Sequence, residues 1–146
     1  MKRVVLDTNV LVVAARSRRG ASFQTMRALR ARRFTALVSV PLVLEYEAVL
    51  KRPEQLAAAG RTAAMTDAFL DALCAIAEPV ELFYLWRPQA RDPDDDMVLE
   101  TAMNGRADWL VSLNTRDLEA ACLRLGMPLA TPGDFYRHHL NHPKED

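Results

Sequence analysis

The chain is poor in the residues that carry most nucleophilic and redox chemistry. Its three histidines, His138, His139 and His142, all fall at the C-terminal end of 146 residues, away from every acidic motif. Its two cysteines, Cys74 and Cys122, sit in apolar helical patterns and read as small buried hydrophobes. Cysteines so few and so placed give neither a disulfide framework nor a zinc site. No apolar run approaches the ~18 residues of a membrane span, so a helical membrane protein is not expected. Lys2 and Arg3 precede an apolar stretch, but Asp7 and Asn9 interrupt it, so no export signal is expected and the chain reads as cytoplasmic. No repeat, linker or low-complexity segment divides it. Residues 1–140 are therefore expected to form a single domain, followed by a polar tail over 141–146.

Hydrophobic residues make up 50% and charged residues 26%, enough apolar material for one real core. The net charge of zero hides an asymmetry. Residues 1–44 carry nine Lys and Arg against Asp7 alone, a balance of +8, and residues 45–146 carry ten against eighteen acids, a balance of −8. A basic half beside an acidic half suits a site that receives a polyanion. It equally suits a solvated helix face.

Apolar runs and helical periods alternate, which predicts a parallel α/β sheet. The expected strands are Arg3–Leu6, Thr35–Val40, Val80–Phe83, Trp109–Ser112 and Pro128–Ala130. A helix is expected over Ser22–Arg33, with Ser22 as its N-cap and Phe23, Met26 and Leu29 inward. Another begins near Pro41 and stops before Arg52-Pro53. Thr62–Ala77 should be a long apolar helix, preceded by a short one ending at Gly60. Helices over Asp94–Asn104 and Asp117–Leu125 should end at Gly105 and Gly126. One last turn is expected after Asp134.

Asp7, Glu45, Asp96 and Asp117 each come after a predicted strand. In an open parallel sheet, groups beyond the carboxyl ends of strands converge on one crevice. Carboxylates gathered there repel each other and are tolerable mainly around a hard divalent cation. Each acid also has a plainer reading. Asp7 could cap a helix starting near Val10, a role Asn9 could also fill, with Thr8 and Asn9 positioning the loop. Glu45 could be a solvated helix acid. The run Asp92-Pro93-Asp94-Asp95-Asp96 suits a helix N-terminus, where the macrodipole favours acids. Within it Asp96 is preferred, because Leu99 and Ala102-Met103 place the buried stripe beside it. Asp117 could cap the helix beginning at Leu118, with Ser112 and Asn114 adding neutral oxygens to the loop.

Taken together, the segments Val4-Val5-Leu6-Asp7-Thr8-Asn9-Val10-Leu11, Ser39–Tyr46, Asp96–Ala102 and Val111–Leu118 resemble, in order and spacing, the motifs of the PIN domain, a family of metal-dependent ribonucleases. The stretch Glu45–Pro53 further resembles the VapC-like branch, toxins of toxin–antitoxin pairs. The resemblance implies a PIN fold of about five parallel strands flanked by helices, Mg²⁺ or Mn²⁺ as cofactor, and hydrolysis of RNA phosphodiester bonds. It implies Asp7 and Asp96 as principal metal ligands, Glu45 holding metal or orienting water, and Asp117 and Asn114 completing the shell. Asn114 departs from the aspartate that the family often has there. The alternative is therefore a catalytically weakened PIN domain that binds RNA or a protein. A phosphoaspartyl enzyme would want a second acid beside Asp7 and a late lysine. The chain has Asn9, and its one late lysine, Lys144, is in the tail. The resemblance also implies a homodimer and a cognate antitoxin whose tail covers the site, with Phe69, Leu70, Leu73 and Ile76 as an apolar supply for such contacts. Arg16, Arg18 and Arg19, coming after the Asp7 loop, are expected to border the crevice and bind RNA phosphates.

Overall fold

Val4, Val5 and Leu6 are buried and, with Arg3, form the central strand β1 (Arg3–Leu6) of a computed structural model that describes residues 1–84 and 93–140, Pro93 and Asp94 by their backbone alone. The expected polar tail 141–146, with His142 and Lys144, lies outside the described residues, as do Arg91 and Asp92 of the acidic run. A strand covered on both faces reads as a continuous apolar run rather than an alternating one. β2 (Thr35–Val38), β3 (Glu78–Pro79), β4 (Trp109–Val111) and β5 (Leu129–Ala130) complete a five-stranded sheet in the order β3-β2-β1-β4-β5. Every pairing is parallel, and Val4 sits between Ala36 and Trp109. The strand order reverses at β1, so the crevice of such a sheet lies beyond the carboxyl ends of β1 and β4.

The helices are α1 (Thr8–Arg16), α2 (Ala21–Arg30), α3 (Val40–Leu50), α4 (Pro53–Ala59), α5 (Ala63–Ile76), α6 (Pro93–Asn104), α7 (Thr115–Leu125) and α8 (Pro132–Phe135), with a π-helical turn over Tyr136–Leu140. Their ends obey local chemistry. Ser39 caps α3 by accepting from Leu42 N–H, Thr62 caps α5 by accepting from Met65 N–H, and Thr131 caps α8. Gly60 and Gly126 close α4 and α7 in the left-handed conformation.

Several expected boundaries move. β2 stops at Val38 because Ser39 is committed to capping α3. The third strand falls on Glu78–Pro79 instead of Val80–Phe83. The N–H groups of Phe83 and Tyr84 both bond the side-chain oxygen of Asn104, which draws that stretch off the ladder. Pro79 is tolerated because β3 is an edge. α2 begins at Ala21 with Gly20, not Ser22, at its N-cap, and Arg32 in the left-handed region ends it early. Its buried stripe is Ser22, Thr25, Ala28 and Leu29, so Phe23 and Met26 lie half-buried beside it. α6 ends before Gly105 as expected, but the left-handed residue is Arg106. Gly105 is required by close approach: a Cβ there would meet Val80 Cγ2 at 2.9 Å and Leu37 Cδ1 at 3.0 Å.

Candidate metal-binding active site

Asp7 leaves the end of β1 and caps α1, which starts at Thr8 rather than near Val10. The plainer reading of this residue is thus true as far as it goes. Its environment goes further, because the side chain is only 6% exposed. Asp7 Oδ1 accepts from Thr8 N–H at 2.8 Å. Asp7 Oδ2 accepts from the Ser112 hydroxyl at 2.7 Å and from the Asn9 amide at 3.3 Å. Asn9 lies inside α1 and stitches it to the loop after β4: its Oδ1 accepts from Leu113 N–H at 3.1 Å and its amide reaches Ser112 Oγ at 3.2 Å. Such a shell stabilises an ionised carboxylate held out of bulk water.

The same network extends to Asp117. Ser112 Oγ accepts from Asn114 N–H at 2.9 Å, and the Asn114 amide donates to Asp117 Oδ2 at 3.0 Å. Asp117 is in the first turn of α7 and half-exposed. The loop after β4 therefore joins Asp7 and Asp117 through two neutral side chains.

Glu45 is in the second turn of α3, half-exposed, beside the buried Tyr46. The Tyr46 hydroxyl donates to the carbonyl of Leu6, which brings this part of α3 to the end of β1. Burial, and then the charge of Asp7, hold the Tyr46 phenol well above its ordinary pKa. Asp96 is 2% exposed on α6, which packs on β1, β2 and β4 and on α3 and α7. Thr101 of α6 and Ser39 at the start of α3 share a hydroxyl–hydroxyl bond of 2.7 Å, tying these two acid-bearing helices together.

Sequence reasoning missed Glu100. It lies one turn after Asp96 on the same side of α6 and is 0% exposed. Its signal was its position inside the apolar stripe Val98-Leu99-Glu100-Thr101-Ala102, where a fully buried carboxylate is costly without a purpose. Arg16, Arg18 and Arg19 are exposed, but at the other end of α1 from Asp7, roughly 12 Å along the axis at the usual helical rise. Arg16 donates to Gln55 Oε1 of α4 at 2.8 Å. A helix leaving a strand's carboxyl end carries its last turn away from that end, so these arginines stand about one helix length from Asp7. Leu70 and Leu73 are core, and Phe69 and Ile76 are half-buried against it.

The fit to a divalent cation turns on two observations. The donors are carboxylate, hydroxyl and amide oxygens, the ligands hard cations select. Thr8 Oγ1, beside Asp7, is buried with no hydrogen-bond partner among the described residues. Among the same residues, no three acidic, histidine or cysteine side chains close around one point. Among the described residues, then, the acids form no all-protein cage. Mg²⁺ is commonly held by one or two carboxylates while keeping several waters, and the donor set fits that mode.

A sizeable cavity lies elsewhere. About 600 Å³ opens between α1, α2, α4 and α5, walled by Leu11, Phe23, Met26, Phe69 and Leu73, and none of the candidate acids lines it. Arg27, Arg30, Arg32 and Arg61 are the charged residues of its lining.

A family model described as PIN domain matches residues 3–116. No curated protein matches the chain. Among solved structures, a chain of VapBC2 from Rickettsia felis, crystallised bound to a DNA fragment from their promoter, superposes with a TM-score of 0.60 at 17% identity, covering 88% of this chain and 98% of that one.

Proposed function

This chain belongs to the PIN domain family, matched over residues 3–116, and from that premise we propose that it is a Mg²⁺- or Mn²⁺-dependent endoribonuclease, the toxin of a toxin–antitoxin pair. The observation that carries the nuclease reading is the bonded chain Asp7–Ser112–Asn114–Asp117 across the ends of β1 and β4, at the point where the strand order reverses. Asp7 and Asp96 would hold the cation, with Asp117 and Asn114 reaching it directly or through water. Bound there, it would supply Lewis-acid activation of water and neutralise developing phosphate charge. Ser112 and Asn9 keep the Asp7 carboxylate aimed by donating to it. Glu45 orients the attacking water for in-line approach to phosphorus. The arginine-rich first part of the chain holds RNA backbone away from the chemistry. The test is cleavage of RNA with Mn²⁺ and its loss with EDTA, in wild type, Asp7→Ala and Asp96→Ala. Full activity in Asp96→Ala would remove α6 from the site. RNA binding without any cleavage by the metal-loaded wild type would favour the weakened, binding-only domain.

The toxin reading is supported by the Glu45–Pro53 segment and by likeness to a chain from a VapBC2 structure. The 600 Å³ cavity adds a surface suited to an antitoxin, since apolar walls under a rim of arginines fit an apolar segment bearing acids. Growth arrest on expression, relieved by the product of a small upstream reading frame, tests it. A homodimer and a cytoplasmic location complete the proposal, and light scattering at micromolar concentration checks the first.

A further inference from the structure

The peptide unit between Leu6 and Asp7 is bonded at both ends. Its carbonyl accepts the hydroxyl of Tyr46 from α3, and its N–H donates to Val111 O of β4 at 2.9 Å. A peptide is planar, so holding both polar ends fixes the plane and the place of the Asp7 Cα; the Asp7 carbonyl, accepting from Val10 N–H at 3.0 Å, holds the next plane, and the two together set the direction of the Asp7 Cα–Cβ bond. The chain spends a buried hydroxyl on this contact, although phenylalanine would fill the same volume without a polar group to satisfy. Tyr46 is also the neighbour of Glu45, so one bond relates α3 to the carboxylate on β1.

We propose that Tyr46 is a positioning residue for Asp7: by bonding the Leu6 carbonyl it aims the Asp7 carboxylate into the crevice and sets its place relative to Glu45. The inference rests on the reading of Asp7 as a metal ligand. An ordinary core tyrosine would contribute stability alone. A positioning tyrosine changes the site at equal stability, as groups that orient metal ligands do.

The experiment compares wild type, Tyr46→Phe and Phe34→Leu. Phe34 is buried edge-on against Phe135, with centroids 5.3 Å apart, so its substitution costs stability without touching the acids. In metal-free protein, the Asp7 amide resonance should shift in Tyr46→Phe and its hydrogen exchange quicken about tenfold relative to neighbouring β1 amides. Phe34→Leu should leave that ratio unchanged. By calorimetry, Mn²⁺ should bind Tyr46→Phe roughly 10- to 100-fold more weakly and bind Phe34→Leu like wild type. An Asp7 amide identical in wild type and Tyr46→Phe overturns the positioning role whatever the metal does. Equal Mn²⁺ affinity in those two proteins overturns its bearing on the site. Wild type that binds no Mn²⁺ overturns the metal reading itself, a separate outcome from an unmoved amide.

Discussion

Ser112 Oγ lies 2.7 Å from Asp7 Oδ2, and the same oxygen receives Asn114 N–H at 2.9 Å. One hydroxyl thus acts as donor to β1's acid and acceptor for the loop that carries Asp117. Ser112 is fully buried, so neither bond is readily replaced by water.

Ser112→Ala removes both at once, together with the longer contact from the Asn9 amide at 3.2 Å. It leaves a buried carboxylate short of a donor and a backbone N–H short of an acceptor. We expect a loss of about 1–3 kcal/mol in urea unfolding, with the slope unchanged. A midpoint equal to wild type would show that water takes over both bonds and that the loop is looser than its geometry.

Asp7→Asn tests the metal directly. Millimolar Mn²⁺ should raise the wild-type melting temperature by binding the folded state alone. Asn keeps the shape of Asp and removes the charge, so the rise should shrink by more than half. An identical rise in both proteins would remove Asp7 from the ligand set.

The sheet was largely legible because burial on both faces writes strands as apolar runs, as in Val4-Val5-Leu6. The features that the sequence concealed depended on partners distant in the chain. The third strand moved because Asn104, twenty residues on, takes the N–H of Tyr84. Asp7, Glu45, Asp96 and Asp117 could be proposed together because a parallel sheet gathers the residues just beyond its strands' carboxyl ends, and the link from Asp7 to Asp117 runs through Ser112 and Asn114. The role of Ser112 as the joint between Asp7 and Asn114 could not be read from the sequence, since it requires the register that sets β4 beside β1. Glu100 was hidden by its apolar neighbours, and the distance of the arginines from Asp7 was hidden because nearness in sequence does not show the direction in which α1 runs.

Gly105→Ala should destabilise by about 1–3 kcal/mol, since its methyl would press on Val80, Leu37 and the Thr101 carbonyl in the core. Gly126→Ala meets nothing within 4 Å and should cost only the left-handed strain, about 1 kcal/mol. The reverse order in urea unfolding would place the packing constraint elsewhere.

Stability should fall at alkaline pH. Burial raises the Cys122 thiol from 9.0 to about 11, and Tyr46 is also raised. A raised pKa means the folded state keeps a proton the unfolded state gives up. The stability is fully present below pH 9.0, is lost as pH climbs toward 11, and levels off for this group beyond. Its size is on the order of 2 kcal/mol. Cys122→Ala, compared with wild type at pH 8, 9.5 and 11, should flatten that part of the decline, and an equally steep decline would assign it to other groups.

Arg16, Arg18 and Arg19 separate backbone binding from chemistry. They are exposed and about one helix length from Asp7, so only an RNA long enough to run past the crevice can reach them. Each phosphate contact on a single strand contributes roughly −0.7 to the slope of log affinity against log salt. Replacing all three by Gln should therefore flatten the slope for a long RNA and weaken its binding. Cleavage of a tri- or tetranucleotide should be unchanged, as should Mn²⁺ affinity, because no ligand is touched. A slope unchanged on long RNA would make these arginines a solvated surface. Equal losses on short and long substrates would instead bring them to the crevice, against the direction in which α1 carries them.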